Sequence, residues 1–384
     1  MARRATKRGA ERTPLGGDVD VLICGASFAG LTVARELAGS GARVLIVDRY
    51  EIGERQTSAC AAPTAWLENL ELGTSIRQTF SELLFHTPRA SVRYALPWTF
   101  STFDYRTLCE QLYAQCDAEF ETAKVDGRSG LTVHTDRGDL AAPLVVDGLG
   151  WRRVLGDGEN VQPPDALLSR GLEVHPHGSG EDLELWLDPR YVPAGYSWSF
   201  PAGDELRVGV GSFDPRYHVK APTVDLAEEL GIDAVRYQGN WIPHALRPAA
   251  ADGVFFVGDS AGHCLPLTAE GIRTAFYFAI ACGRELRHVL ADRQTRAQAL
   301  ERYGAFSAQH AWQFRWLLRA QRAVGRANRP RLMTAVIKTL GRQPIVDWAF
   351  EHYLAIAPPE FALASPPTDA TRGSSAAATA VAST

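Results

Sequence analysis

The stretch Val19–Arg49, VDVLICGASFAGLTVARELAGSGARVLIVDR, constrains the fold more than any other part of the chain. Val19 and Val21–Cys24 form a short apolar run of the kind a strand buried on both faces requires. Gly25–Gly30 turns the chain, Leu31–Leu37 carries helical spacing, and Gly39-Ser40-Gly41 closes that helix. Val44–Val47 is a second buried strand, ending at Asp48. A strand, a glycine turn, a helix and a strand with an acid about 20 residues past the turn make up a dinucleotide-binding unit. Gly25 permits the tight turn and Gly30 a close approach of helix to strand, while Ser27 stands at the middle glycine position. The helix N-terminus offers free N–H groups and partial positive charge to a pyrophosphate. Asp48 is placed to accept from ribose hydroxyls.

At 384 residues the chain exceeds a usual single core, so two lobes are expected. Its charged fraction of 22% and net charge of −4 are those of a globular protein and give no case for nucleic acid. The six cysteines show neither C-x-x-C nor metal-ligand spacing, so no metal is expected and the thiols read as reduced and cytoplasmic. Residues 1–17 are basic but lack an apolar segment, and read as a disordered lead-in. No run of about 18 apolar residues occurs. The Pro-, Ala-, Ser- and Thr-rich residues 361–384 read as a disordered tail.

Further along, Leu83–Phe100 is strand-like and Phe103–Leu112 is an amphipathic helix. Leu131–Thr135 and Leu140–Val146 alternate about Arg137-Gly138-Asp139 as a hairpin whose second strand delivers Asp147-Gly148. Pro163-Pro164 marks a crossing. Leu167–His175, Leu183–Leu187, Tyr196–Phe200 and Leu206–Phe213 then follow as strands at short spacing, which implies an antiparallel sheet. Val208-Gly209-Val210-Gly211 mimics a nicotinamide fingerprint, but no third glycine and no helix follow it, so it reads as strand. The expected organisation is a first lobe from residues 18–88, 103–162 and 250–290, a sheet lobe from 89–102 and 163–249, and a helical region over 291–360.

A second loop carries chemistry. Val254–Val257 is a buried strand ending in Gly258-Asp259, and a Gly- and Pro-shaped loop through Gly262 opens a helix at Gly271. An acid there can hold a ribityl hydroxyl, and the helix N-terminus suits the anionic edge of a reduced flavin. With the first motif, this points to FAD. On a strand, Tyr196, Trp198 and Phe200 share one face. Three rings in a row suit an apolar wall for a lipid chain or aromatic ring, and equally a sheet core packed on a helix. Arg315, Arg319, Arg322 and Arg326 share one helical face in a locally basic region, which fits either an anionic membrane surface or a solvated exterior.

These residues resemble a known family. Gly25-x-Ser27-x-x-Gly30, Asp147-Gly148 and Gly258-Asp259 stand in the order used by flavoproteins of the p-hydroxybenzoate hydroxylase fold. Tyr196-Ser-Trp198-Ser-Phe200-Pro201 is similar to the Y-x-W-x-F-P motif of geranylgeranyl reductases, and Gly258–Ile272 to their flavin loop. The chain departs from that pattern with Ala269 in place of a glycine and with Ala61-Ala62 after Cys60 in place of two glycines. Tyr105, with Arg106 beside it, stands where an arginine is usual, and the arginine after Asp147-Gly148 is either Arg152 or Arg153.

The resemblance implies an α/β protein with a discontinuous Rossmann-type FAD-binding lobe, an inserted antiparallel β-sheet substrate lobe and a C-terminal helical region. Cofactor contacts are expected from Gly25, Ser27, Ala29, Gly30, Asp48, Arg49, Arg106, Gly258, Asp259, Gly262, Gly271 and Ile272. Tyr196, Trp198 and Phe200 are expected at the substrate, and Cys60 and His263 as catalytic groups. The implied activity is FAD-dependent reduction of carbon–carbon double bonds in an isoprenoid or similar apolar substrate, with NAD(P)H or another electron carrier used transiently. A monooxygenase of the same fold is the alternative, and a non-catalytic flavoprotein or lipid carrier a third. The expected location is cytoplasmic, with peripheral contact at a membrane surface.

Overall fold

The computed structural model describes residues 13–56, 58–157, 161–163, 165–326 and 329–363. The expected disordered segments therefore lie mostly outside the described residues, as does Pro164 of the expected crossing. The chain begins with β1 (Val21–Cys24), α1 (Phe28–Leu37), β2 (Val44–Asp48), β3 (Ala61–Pro63) and α2 (Thr64–Asn69). There follow β4 (Ile76–Thr87), β5 (Ala90–Phe103), α3 (Tyr105–Ala114) and β6 (Glu119–Thr122). Next come β7 (Val125–Ser129), β8 (Thr132–Thr135), β9 (Gly138–Ala141) and β10 (Leu144–Asp147). The middle of the chain holds β11 (Leu168–Val174), β12 (Leu183–Trp186), β13 (Gly195–Pro201), β14 (Leu206–Ser212), α4 (Lys220–Glu229) and β15 (Gln238–Pro243). It closes with β16 (Ala250–Ala251), β17 (Val254–Phe256), α5 (Ile272–Leu290), α6 (Arg296–Ala308), α7 (Ala311–Arg326), α8 (Pro330–Leu340) and α9 (Gln343–Leu354).

Apolar runs without alternation produce strands buried on both faces, and β1, β2, β10 and β17 form the core of a six-stranded sheet ordered β16-β17-β10-β1-β2-β6. Only β16 runs antiparallel to its neighbour. The register aligns Cys24 with Val47 and Asp147, and Asp147 with Phe256. Three turns far apart in sequence, after β1, β10 and β17, therefore open along one carboxyl edge, where open α/β sheets bind ligands. Helices α1 and α5 pack so closely that a Cβ on Gly283 would sit 2.4 Å from the Cβ of Glu36.

The alternating strands form an eight-stranded sheet ordered β15-β11-β14-β13-β12-β4-β5-β3, antiparallel except between β12 and β4. One face buries Val174, Val208 and Val210 against Val219, Leu226 and Ala227 in and beside α4. Part of the opposite face is covered by α8 and α9, with Tyr94 packed on Ile337 and Val346.

Three assignments differ from the sequence expectation, and the first is Ala61–Pro63, expected in the first lobe but paired antiparallel with β5 in the large sheet. Ile76–Thr87, expected in the first lobe, is a strand of the large sheet, because it pairs with both β5 and β12. The expected hairpin strand Leu140–Val146 is broken at Pro143. Gly138–Ala141 pairs with β8, while Leu144–Asp147 joins the parallel sheet. Proline supplies no N–H to a ladder, so the chain changes sheets there.

Candidate FAD and substrate site

The glycine turn is built by close backbone approach. Gly25 has φ +110°, and a Cβ on it would lie 2.4 Å from the Gly148 carbonyl oxygen. A Cβ on Gly30 would lie 1.9 Å from the Gly25 carbonyl oxygen. Ser27 caps α1 with backbone only, since its side chain makes no capping hydrogen bond, and the first turn holds no acid. The leading N–H groups of α1 are thus left for an anionic ligand. Asp48 accepts from the N–H of Ala26 at 2.8 Å and of Tyr50 at 3.0 Å, and the Arg49 N–H is also directed at it. Burial pushes its pKa up, against those N–H groups. The carboxylate, with four acceptor sites and three N–H donors, keeps capacity for a ribose hydroxyl.

The second loop touches the first, for a Cβ on Gly258 (φ +59°) would sit 3.1 Å from the Cβ of Ala29. Asp259 accepts no side-chain hydrogen bond from any described residue, and burial pushes its pKa up to about 6, with Arg247 opposing. A carboxylate left in this state fits a hydroxyl-bearing ligand. Gly262 (φ +66°) lets the loop pass Ala245, whose carbonyl oxygen a Cβ would meet at 2.0 Å. Gly271 caps α5 without a side-chain bond, leaving the N–H groups from Ile272 onward open. Leu267 (φ +72°) and Ala269 (φ +52°) are both left-handed, so the departure from glycine at 269 falls where glycine is favoured. The loop is anchored to the C-terminal helices, with Leu267 N–H donating to Gln321 at 2.8 Å and Thr268 Oγ1 bonded to the Tyr353 hydroxyl at 2.7 Å.

Asp147 is fully buried and joins the two loops. It accepts from Leu149 and Leu155 N–H at 2.9 and 2.8 Å and from the Ser260 hydroxyl at 2.7 Å. The arginine that completes this corner is Arg153, which donates to the Ser260 carbonyl at 2.8 Å and lies 3.4 Å from the Phe256 ring centroid. Arg152 lies against Trp151 instead. Tyr105, at the usual arginine position, donates its hydroxyl to Ser27 Oγ at 3.0 Å and packs edge-on to Phe28. Tyr105, a departure from the family pattern, is therefore bonded to Ser27, which stands at the middle glycine position of the turn. Arg106 is exposed beside Gly53, whose Cβ would lie 2.7 Å from Arg106 Cα. Arg49 is exposed and lies over the Tyr50 ring.

Neither expected catalytic group reaches the surface of this site. His263 is fully buried, stacked 3.8 Å from Phe278, with Nε2 bonded to Ser307 at 3.0 Å. Burial drops its pKa well below the usual range, so it is a neutral packing residue and not an exposed acid–base. Cys60 is also fully buried, with φ +54°, and its thiol donates to the Ser58 carbonyl at 3.2 Å. Burial raises its pKa well above the usual thiol value. The left-handed residue in this loop is Cys60 itself, while Ala61 and Ala62 are extended in β3, so that stretch needs no glycine.

Tyr196, Trp198 and Phe200 do share one face of their strand. Along β13 the residues alternate buried and half-buried, and Tyr196, Trp198 and Phe200 occupy the half-buried side. The Trp198 indole lies across the glycine strip that mimicked a fingerprint. A Cβ on Gly209 would meet its Cζ2 at 2.4 Å, one on Gly211 its Cζ3 at 3.3 Å, and one on Gly171 its Cη2 at 3.5 Å. Tyr196 donates to the Thr268 carbonyl at 2.5 Å, tying this face to the flavin loop.

A charged network not anticipated from sequence flanks Trp198 on the same face of the sheet. Trp198 Nε1 donates to Glu173 at 3.2 Å, Glu173 pairs with His175 at 2.9 Å, and His175 with Glu205 at 3.2 Å. Arg207 binds Glu205 at 3.1 Å and donates to the Ala59 carbonyl at 2.8 Å, beside Cys60. Burial works against the charged forms, but mutual pairing outweighs it, raising the pKa of His175 and holding Glu205 at about 2. The available signal was the period of two shared by Glu173/His175, Glu205/Arg207 and Gly209/Gly211.

The glycine turn, the uncapped helix ends, Asp48 and the unpartnered Asp259 fit FAD. No family model matches the chain. It is 23% identical over 335 residues to digeranylgeranylglycerophospholipid reductase 3 of Methanosphaera stadtmanae, covering 76% of this chain and 83% of that protein. In structure it matches a geranylgeranyl bacteriochlorophyll reductase-like protein from Thermoplasma acidophilum with TM-score 0.77 and 17% identity, over 90% of this chain and 97% of that one. A flavin-dependent brominase matches with TM-score 0.62 and 15% identity, over 88% and 98% of the two chains.

Fold and site together define an FAD-dependent oxidoreductase of the p-hydroxybenzoate hydroxylase fold. Among such enzymes this chain is geranylgeranyl reductase-like. Among the described residues no helix is long and apolar enough to cross a membrane.

Proposed function

We propose that the protein reduces carbon–carbon double bonds of an isoprenoid or similarly apolar substrate. The observation that carries this reading is the half-buried aromatic face of β13, joined to the flavin loop by the bond from Tyr196 to Thr268. Bound FAD, once reduced, supplies the hydride equivalent, and a proton completes the addition. The chain's own part is to hold the cofactor and to keep water from the alkene. Gly25–Gly30, with Asp48 and Arg106, receives the adenosine diphosphate portion, and Asp259 receives the ribityl chain. Tyr196, Trp198 and Phe200 orient the apolar substrate. Cys60 is a positioning residue, since Arg207 clamps its loop and its neutral thiol is internal. The Val208–Gly211 segment lies inside β14, and the reductant, NAD(P)H or another carrier, acts transiently.

The test is anaerobic reduction of the purified flavoprotein, followed by separate addition of a prenyl alkene and of O₂ with an aromatic acceptor. Reoxidation by the alkene with formation of its dihydro product is expected. Oxygen-dependent hydroxylation, with no reoxidation by alkene, would replace this reading with a monooxygenase.

A further inference from the structure

The C-terminal helices have a polarity that the rest of the molecule lacks. Between residues 302 and 346 the sequence holds nine arginines and lysines and no acid, in a chain whose net charge is −4. Helix α7 turns Phe314 and Gln321 inward, the latter onto the flavin loop. Its outward side carries Trp312, Arg315, Trp316, Arg319 and Arg322, all exposed, at helical positions i, i+3, i+4, i+7 and i+10. The side chain of Arg326, expected on the same face, lies outside the described residues. Trp312 and Trp316 are 57% and 61% exposed, an uncommon state for the largest apolar side chains. Arg315 and Arg322 make no ion pair among the described residues. Helix α8 repeats the composition on its exposed side, with Arg331, Leu332, Val336, Lys338 and Leu340.

We infer that this face of α7 seats the protein on an anionic lipid bilayer. The basic charge calls for an anionic partner, and the two interleaved tryptophans select a lipid interface over a polyanion in water, because an indole is stable at the headgroup boundary. Residues 364–384 contain a single acid, Asp369, so they offer this face no counter-charge. The C-terminal end of α7 borders a small crevice lined by Val324, Pro330, Met333, Leu187, Pro189 and Val192, with Asp188 and Arg329 also on its wall. Gly195, next to Tyr196, also lines it. The inference stands on the helix alone and does not require the reductase reading.

The test uses the full-length flavoprotein with vesicles of phosphatidylcholine alone and of phosphatidylcholine mixed with phosphatidylglycerol. Co-sedimentation with the mixed vesicles only, weakening as salt rises, and a blue shift of tryptophan emission are expected. An arginine near an anionic surface contributes about fivefold to binding, so R315Q/R319Q/R322Q should bind on the order of a hundredfold more weakly. W312A/W316A should lose the blue shift. Both variants should keep wild-type flavin content and melting temperature. No sedimentation with mixed vesicles, or equal sedimentation by both variants, overturns the inference. So does binding to heparin without binding to vesicles, or a dimer in solution that dissociates in W312A/W316A.

Discussion

Replacing Gly209 with alanine places a methyl group 2.4 Å from Cζ2 of Trp198, a separation that side-chain carbons do not tolerate. The indole must lift from the glycine strip, and its N–H then leaves Glu173, which is 4% exposed and accepts that bond at 3.2 Å. Losing a hydrogen bond to a charged acceptor costs about 1.5–3 kcal/mol. Overpacking adds about 1–3 kcal/mol. A total near 4 kcal/mol lowers the melting temperature of a chain this long by roughly 5 °C. Flavin content should stay at the wild-type level, because Gly209 touches no residue of either cofactor loop. Trp198→Ala removes the apolar wall instead, weakening binding of a long prenyl substrate by about 2–4 kcal/mol and of a short one by less. In that background the two shortest contacts of the added methyl, both to the indole, are gone, and the Leu172 carbonyl oxygen at 2.7 Å remains. Gly209→Ala should therefore cost at least ~1 kcal/mol less beside Trp198→Ala than alone. Thermal melts of the four proteins of this cycle measure the coupling. Strict additivity would refute the placement of the indole on the strip.

Asp259 is a carboxyl whose folded pKa, about 6, stands above its unfolded value, so its stabilising share in apoprotein is complete below about pH 4 and is lost as pH rises through 6. Apoprotein carrying Asp259→Asn should lose that slope and be the more stable form at pH 8, by about 2–3 kcal/mol, while binding FAD at least tenfold more weakly; denaturation at several pH values and flavin titration check both. Ala269→Gly relieves a left-handed alanine, a gain of about 1–2 kcal/mol offset by about 0.5–1 kcal/mol of chain entropy, so the melting temperature should rise by roughly a degree. A fall on that substitution would mean the loop adopts another conformation. Iodoacetamide at neutral pH should leave Cys60 unmodified in the folded protein and label it after unfolding, as peptide mass spectrometry would show; rapid native labelling would place the thiol at the site surface.

The parts of this protein legible in its sequence are those set by neighbours along the chain. Unbroken apolar runs at Val21–Cys24 and Val44–Val47 can only be strands buried on both faces, and the glycines between them are required by backbone approaches of 2.4 and 1.9 Å. The one-sided placement of Tyr196, Trp198 and Phe200 follows from the two-residue period of a strand and needs no tertiary information.

Tertiary structure alone decided what depends on pairing between distant segments. The transfer of Ile76–Thr87 to the large sheet and the division of a strand at Pro143 are matters of which edge each segment joins. That Arg153 completes the Asp147 corner, and that Tyr105 bonds Ser27, depends on distances between loops that no spacing encodes. Cys60 and His263 carried chemical promise as residue types, yet enclosure by Arg207's loop contacts in one case and by α5 and α6 in the other left both inside the protein. The network from Trp198 to Arg207 came from strand register, which sets Glu173 opposite Gly209 and Gly209 opposite Trp198. Local patterns determine which elements form and which way their side chains face, because those are properties of one stretch of backbone. Hydrogen-bond partners and burial are properties of pairs, and they exist only once the sheets have closed.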